Sequence, residues 1–200
     1  MAPSMHKRRM HWRTWLSLLM ALPLAACLET NLTLRPDGSV AGTISWTPSG
    51  KLPEAGVRAV LTAEGVTIKR VEVVDLPADK TGGKPARPQR VTADVEATSV
   101  KALIAVPLFR TLSTSADLGK PEGGKRKLTV RAANSEGVGP IPDTDDVIRL
   151  HLPGPVAETS AKASGNDVTW TIPGSEFKSK KFVELSVVYA AESTAPPDKK

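Results

Sequence analysis

The sequence is poor in the residues from which crosslinks, metal sites and catalytic centres are usually built. Its 200 residues include one cysteine, Cys27, and three histidines, and only 4% are aromatic. A single cysteine excludes an intramolecular disulfide. One histidine beyond residue 26, His151, argues against a zinc or copper site. We therefore expect no metal and no cofactor, and a core made mainly of valine, leucine, isoleucine and alanine.

Long hydrophobic runs are also missing. The stretch from Trp15 to Leu24 is apolar except for Ser17, and it is far shorter than the ~20 residues that a membrane-spanning helix needs. Four basic residues and no acidic residue precede this stretch, and small residues follow it. A positive start, a short apolar middle and small residues at the cleavage point are typical of a secretory signal peptide.

The end of this segment, Leu24-Ala25-Ala26-Cys27, resembles the lipobox of bacterial lipoproteins. In that class the cysteine becomes the first residue of the mature chain and its thiol carries the lipid. The resemblance implies a signal peptide over residues 1–26 and a membrane-anchored lipoprotein of the cell envelope, lipidated at Cys27. Leu28 stands where an aspartate often marks inner-membrane retention, which favours the periplasmic face of the outer membrane in a Gram-negative host. The alternatives are a conventional cleavage site or an uncleaved anchor.

The charge balance gives no support for nucleic-acid binding. The net charge of the whole chain is +6, but without the four basic residues of segment 1–26 the balance is 23 basic against 21 acidic residues. The basic footprint of a nucleic-acid-binding domain is therefore missing. Basic residues do cluster at 69–70, 125–127 and 178–181. They are expected to guard sheet edges, or alternatively to face anionic lipid headgroups.

Turn signals and alternating apolar residues predict an α+β domain, mainly antiparallel β-sheet with one or two short helices. Asp37-Gly38 and Gly165-Asn166 are typical of hairpin turns. Apolar residues alternate with polar ones over 91–97, 168–172 and 182–189, which indicates half-buried strands. We expect one domain over residues 27–191, with a long polar loop over 77–89 and a disordered tail over 192–200.

Helical spacing and one long strand complete the predicted elements. Val57, Val60 and Leu61 share one face of a helix that begins near Pro53. Thr98 or Ser99 is expected to cap a second short helix, broken by Pro107. A strand is predicted over 156–163, and a bulge near Arg70.

The order of these elements resembles the LppM-type domain of bacterial envelope lipoproteins. The matching features are the Pro36-Asp37-Gly38 hairpin just after Cys27, the entry Leu152-Pro153-Gly154-Pro155-Val156 to a later hairpin, and residues 165–170, which close it. The resemblance implies a compact α+β domain tethered at a membrane, with no assigned enzymatic chemistry. It carries over no catalytic residue.

Two motifs come near to catalytic patterns without completing them. His151 lies opposite the apolar face of its strand, as a surface histidine does. Ser175 and Lys178 have the spacing of a serine with a lysine base. Enzymes of that kind place the serine at the start of a helix, whereas here Pro173-Gly174 predicts a loop. We therefore expect no enzyme, and an atypical hydrolase is the weakest of the alternatives.

The densest acidic group is Asp143, Asp145 and Asp146. A calcium-binding loop also needs a glycine at its turn and a later bidentate glutamate. Both are missing at the required offsets, so a solvated loop is expected here.

The leading hypothesis is a non-enzymatic lipoprotein domain that binds an envelope protein or an amphiphile, with its membrane attachment at Cys27. A deep apolar pocket between the sheet and the helix at 53–62 would favour an amphiphile, and a solid core would favour a protein partner. The alternative is an accessory subunit of an envelope complex. The identity of the ligand is not encoded in any motif.

Overall fold

The computed structural model describes residues 26–48, 50–77, 88–110, 114–133, 144–180 and 182–191. Most of the predicted signal peptide, most of the loop 77–89 and the predicted tail 192–200 lie outside the described residues. Within the described part, the secondary structure in chain order is β1 Ala26–Leu34, β2 Val40–Thr47, α1 Glu54–Leu61, β3 Val66–Asp75, β4 Gln89–Ala97, α2 Val100–Ile104, α3 Pro107–Arg110, β5 Ser115–Leu118, β6 Lys125–Ala133, β7 Asp146–His151, β8 Val156–Thr159, β9 Lys162–Ser164, β10 Asp167–Ile172, α4 Gly174–Ser179 and β11 Phe182–Ala190.

The strands form two sheets. The large sheet has the order β3-β4-β2-β1-β7-β10-β9, and the small sheet has the order β5-β6-β11-β8. All pairs are antiparallel except β1 with β7, which run parallel. Apolar side chains from both sheets and from α1 and α2 join one hydrophobic cluster. The fold is thus α+β and predominantly antiparallel β, as the sequence predicts.

The alternation of side chains along each strand explains which face is buried. Val91, Ala93, Val95 and Ala97 of β4 are all buried, while the residues between them are only partly covered. Successive side chains of a strand point to opposite faces of the sheet. The large sheet therefore turns one apolar face inward, toward the small sheet and the helices.

The helices agree with their sequence signals. In α1, Val57, Val60 and Leu61 are buried on one face, and Pro53 precedes the helix. Ser99 caps α2, because its side-chain oxygen accepts a hydrogen bond from the backbone N–H of Ala102. The structure has two more short helices than the upper limit predicted, since residues from Pro107 and from Gly174 also form single turns of helix.

The hairpin between β1 and β2 is confirmed. The two strands pair antiparallel up to Leu34 opposite Val40. The turn is closed by Asp37, whose Oδ1 accepts hydrogen bonds from the N–H and the hydroxyl of Ser39. Gly38 has a φ of 87°, a left-handed conformation that a side chain with a Cβ strongly disfavours.

Replacing Gly38 with valine should lower the free energy of unfolding by about 1 kcal/mol or more, because a β-branched residue resists positive φ. An added Cβ would also lie 3.3 Å from Cδ2 of Leu118. Urea unfolding of the variant and the wild type measures the difference. Equal transition midpoints would contradict the strain assigned to this turn.

Two other local predictions have opposite outcomes. Gly165-Asn166 does join antiparallel neighbours, with Ser164 of β9 opposite Asp167 of β10. The single strand predicted over 156–163 is wrong, because β8 belongs to the small sheet and β9 to the large sheet. The chain passes from one sheet to the other near Ser160, where the alternating pattern gives no sign of a change of partner.

Candidate functional site

A cavity of about 110 Å³ lies between the two sheets, and we call it the inter-sheet cavity. Inward side chains of β1, β7 and β10 form the wall that the large sheet contributes. Side chains of β6 and β11 form the opposite wall, from the small sheet, and α2 closes one side. Almost every lining group is a hydrocarbon. The main contributors are Leu28, Leu32, Ile148, Leu150, Ile172, Val130, Ala132, Val183, Leu185, Val100, Leu103 and Phe109.

Strand register arranges the large-sheet wall in three rows. The first row holds Asp146 opposite Ile172, beside Leu28. The second row holds Thr30, Ile148 and Trp170, and the third row holds Leu32 and Leu150. Since strands rise ~3.3 Å per residue, the first and third rows are about 13 Å apart. The cavity is therefore a narrow space that runs along the strands.

The second row contains two polar atoms without hydrogen-bond partners in the described part of the chain. These are the Oγ1 atom of Thr30 and the Nε1 atom of Trp170, both buried. A buried donor or acceptor without a partner costs about 1–3 kcal/mol. Both side chains line the inter-sheet cavity. A ligand with a hydrogen-bonding oxygen would satisfy them.

The first row contains a carboxyl group, that of Asp146. Its Oδ1 accepts a hydrogen bond from the backbone N–H of Leu28 at 2.9 Å. The pKa of Asp146 is raised to about 6, chiefly by burial and in addition by the nearby charge of Asp145, while the hydrogen bond from Leu28 opposes the shift. The inter-sheet cavity thus has a titratable group at the row where β1 begins.

Asp146 should make stability depend on pH. Because its pKa is raised on folding, the folded state binds the proton more tightly than the unfolded state. The stabilising contribution of Asp146 is therefore fully present below pH ~4 and is lost as the pH rises through about 6. Relative to Asp146→Asn, which keeps an acceptor oxygen for Leu28, the wild type should lose about 1–3 kcal/mol between pH 4 and pH 7. Urea unfolding at several pH values checks this, and parallel profiles would contradict it.

Asp146 is one of the cavity-lining residues that were not predicted from the sequence. The acidic group 143–146 was expected in a solvated loop, and that is wrong for Asp146, which is partly buried and lines the cavity. Asp145 is exposed, and Asp143 lies outside the described residues. The signal was present in the sequence, since Asp146 shares the inward phase of β7 with Ile148 and Leu150.

Cys27, the predicted lipidation residue, is exposed and directly precedes the first row of the cavity. Its backbone N–H donates to Oγ1 of Thr144 at 3.2 Å. At the helix 53–62, where a pocket would have favoured an amphiphile and a solid core a protein partner, Val57, Val60 and Leu61 of α1 pack into the core. The inter-sheet cavity is bordered by α2 instead. The cavity lies where the two sheets face each other.

The basic clusters are not brought together. Lys69 and Arg70 lie on β3, an edge strand of the large sheet, where they pair with Glu96 and Glu72. The cluster 125–127 lies on β6 of the small sheet. The position of Lys69 and Arg70 agrees with edge protection, whereas β6 lies between β5 and β11 and is not an edge strand. The side chains of Lys178 and Lys181 lie outside the described residues.

The candidate catalytic residues lie apart from the cavity. His151 is exposed, and its Nδ1 lies 2.8 Å from Oδ1 of Asp167. Ser175 is exposed and stands in α4, so the loop predicted after Pro173 is wrong. The side chain of Lys178 lies outside the described residues, so the alternative of a Ser175–Lys178 pair is not tested.

The described residues lack both a metal-binding cluster and a membrane-spanning helix. They contain no group of three or more histidine, cysteine, aspartate or glutamate side chains that could hold a metal ion. Within the same ranges, no helix has the length and apolar character needed to cross a membrane.

Comparisons with known proteins give structural likenesses only. No family model matches the chain, and no curated protein matches it. The structure is similar to the folded domain of Mycobacterium tuberculosis LppM, solved by NMR, with 17% identity, a TM-score of 0.44, and coverage of 84% of this chain and 91% of that one. The LppM domain is also the one that the sequence resembles. At this identity the comparison assigns no site residue.

The structure is also similar to part of an M1 zinc metallopeptidase from Deinococcus radiodurans, with 10% identity and a TM-score of 0.39. The match covers 84% of this chain and 42% of the peptidase. A second crystal structure of an M1 zinc metallopeptidase from the same organism gives 10% identity, a TM-score of 0.41, and coverage of 85% and 42%. This chain therefore spans less than half of those enzymes.

Proposed function

We propose that this chain is a membrane-anchored bacterial lipoprotein of the cell envelope whose non-enzymatic domain binds one amphiphile in the inter-sheet cavity. The observation that carries the proposal is the cavity itself, which has apolar walls from both sheets and two unpartnered polar atoms in its middle row. Apolar cavities of comparable size stay free of water and accept small apolar ligands. An acyl chain supplies the missing contacts along such walls.

The shape of the cavity favours a single chain. Its volume of about 110 Å³ is small beside the ~300–1,000 Å³ of pockets for drug-sized ligands. The cavity also runs along the strands over three rows. A lipid with two chains side by side would have to separate the sheets, whereas one extended chain, inserted in part, follows the rows.

The unpartnered polar atoms of Thr30 and Trp170 favour a ligand whose acyl chain carries an oxygen atom. Trp170 Nε1 is a donor only, and the hydroxyl of Thr30 is both donor and acceptor. Asp146, with a pKa of about 6, is protonated at lower pH and can then donate as well. An ester, amide or carboxyl oxygen in the second or first row would therefore be bound more tightly than a plain hydrocarbon.

A fluorescent fatty acid tests the proposal. The segment Cys27–Lys200 with Cys27→Ser contains every described residue of both sheets except Ala26, and it lacks the lipid. We expect saturable binding of one probe per chain. Val130→Trp should fill the cavity and weaken binding about tenfold or more, which corresponds to a loss of ~1.4 kcal/mol. Thr129→Trp, on the opposite face of the same strand, is the matched control and should bind as the parent does. Equal weakening by both variants, or no binding by the parent, would contradict the proposal.

A further inference from the structure

Cys27 is held at one end of the inter-sheet cavity without a linker. The strand β1 already includes Ala26 and Cys27. The N–H of Cys27 donates to Thr144 and the N–H of Leu28 donates to Asp146, so the start of β1 is fixed against the start of β7. Leu28 and Asp146 form the first row of the cavity. A group attached to the exposed sulfur of Cys27 therefore begins beside that row.

Of the two unpartnered polar atoms, the Oγ1 atom of Thr30 lies on the same strand as Cys27, whereas Trp170 lies two strands away on β10. Thr30 is three residues from Cys27, a rise of about 10 Å along the strand. A lipid joined to sulfur through a glyceryl thioether carries its ester carbonyls a few bonds from that sulfur. The Oγ1 atom of Thr30 and the Nε1 atom of Trp170 are buried, line the cavity and have no hydrogen-bond partner among the described residues. The hydroxyl of Thr30 is the nearer partner for an ester carbonyl of a lipid on Cys27.

We infer that one acyl chain of the lipid on Cys27 occupies the inter-sheet cavity of its own molecule. The inference rests on the proposed function, because it names the amphiphile that fills the same cavity. The remaining chains of the lipid enter the bilayer and hold the protein there. The lipidated protein is consequently closed to free amphiphiles, and its domain lies against the membrane at the end where β1 begins.

Two physical terms favour the intramolecular site over the bilayer. The bilayer interior and the cavity wall are both apolar, so the transfer of an acyl chain from one to the other gains little from the hydrophobic effect. Filling the cavity instead restores dispersion contacts that its walls lack, and the polar pair gains hydrogen bonds. Covalent attachment at Cys27 also gives the chain a high effective concentration at the cavity, which no free lipid has.

The experiment uses the full chain in a bacterial host fed a fatty acid that carries a photoactivatable diazirine. After illumination, crosslinked peptides are identified by mass spectrometry. We expect the peptide that begins at Cys27 to be joined through its lipid to β6 or β11 segments that contain Val130, Ala132, Val183 or Leu185. Crosslinks of the Cys27 lipid to phospholipids alone would overturn the inference.

Variants separate this inference from the proposed function. Val130→Trp should reduce the intramolecular crosslinks about tenfold or more, a change equivalent to ~1.4 kcal/mol, and Thr129→Trp should leave them unchanged. In the Cys27→Ser chain, free diazirine fatty acid should crosslink to the same segments. If it does so while the wild-type Cys27 lipid does not, the proposed function stands and the inference fails. If neither crosslinks, both fail.

Discussion

Replacing Trp170 with alanine should lower the free energy of unfolding by about 3–5 kcal/mol, the usual cost of deleting a large buried aromatic side chain. Trp170 is 7% exposed and belongs to the core cluster. Truncation of the Trp170 side chain would enlarge the inter-sheet cavity. Because each wall of the cavity belongs to its own sheet, the walls do not close over the added space. With one cysteine in the chain, no intramolecular disulfide offsets the loss. Urea unfolding of the Cys27–Lys200 segment measures the change.

Trp170→Phe separates packing from hydrogen bonding. Phenylalanine keeps an aromatic ring in the core and removes the Nε1–H group that has no partner in the described structure. This smaller change should cost less than about 1.5 kcal/mol, while weakening the binding of an oxygen-bearing chain.

An unchanged unfolding midpoint in Trp170→Ala would contradict the burial of Trp170 and place it on the surface.

Cys27→Ser should abolish lipidation completely, because a hydroxyl cannot form the thioether through which the lipid is attached. Each buried methylene contributes ~0.8 kcal/mol to membrane binding, so the loss of two or three acyl chains removes the anchor altogether. The variant should accumulate as an uncleaved or a soluble form. Incorporation of radiolabelled palmitate, compared with the wild type in the same cells, measures the effect. Label in the variant would show that the anchor lies elsewhere.

Local patterns of the sequence predicted much of the fold. The turns at Gly38 and Gly165 need positive φ, and glycine adopts it without strain. The phase of each strand follows from alternation, so the inward positions of β4, β10 and β11 were predicted correctly. The bulge near Arg70 is also present, as a register shift between Ile68 and Arg70. These features depend on neighbours within a few residues.

Features that depend on distant segments were not predictable in the same way. The split of residues 156–164 between two sheets is decided by pairing with β11 and β10, which the pattern of β8 and β9 does not record. The inter-sheet cavity exists because the inward side chains of two separate sheets do not fill the space between them. No single segment carries that information, so the position of the cavity could not be predicted from the sequence.

The candidate site was predicted only at its edge. Cys27 was identified from the motif that ends at it, and the structure places it next to the cavity. Thr30 was not singled out in the sequence and Trp170 was expected in the core rather than facing a ligand, because their unpartnered atoms become apparent only when the opposite wall is known. Asp146 could have been found from its inward phase. The raised pKa of Asp146 depends on burial by other strands and could not have been predicted from the sequence.

Native mass spectrometry of the Cys27–Lys200 segment with Cys27→Ser, purified from bacterial cells without detergent, tests the central claim most directly. We expect a population with the added mass of one single-chain amphiphile per protein. That population should be lost in Val130→Trp and kept in Thr129→Trp. A protein free of lipid throughout, even after incubation with a fatty acid, would contradict the claim that the inter-sheet cavity is a binding site.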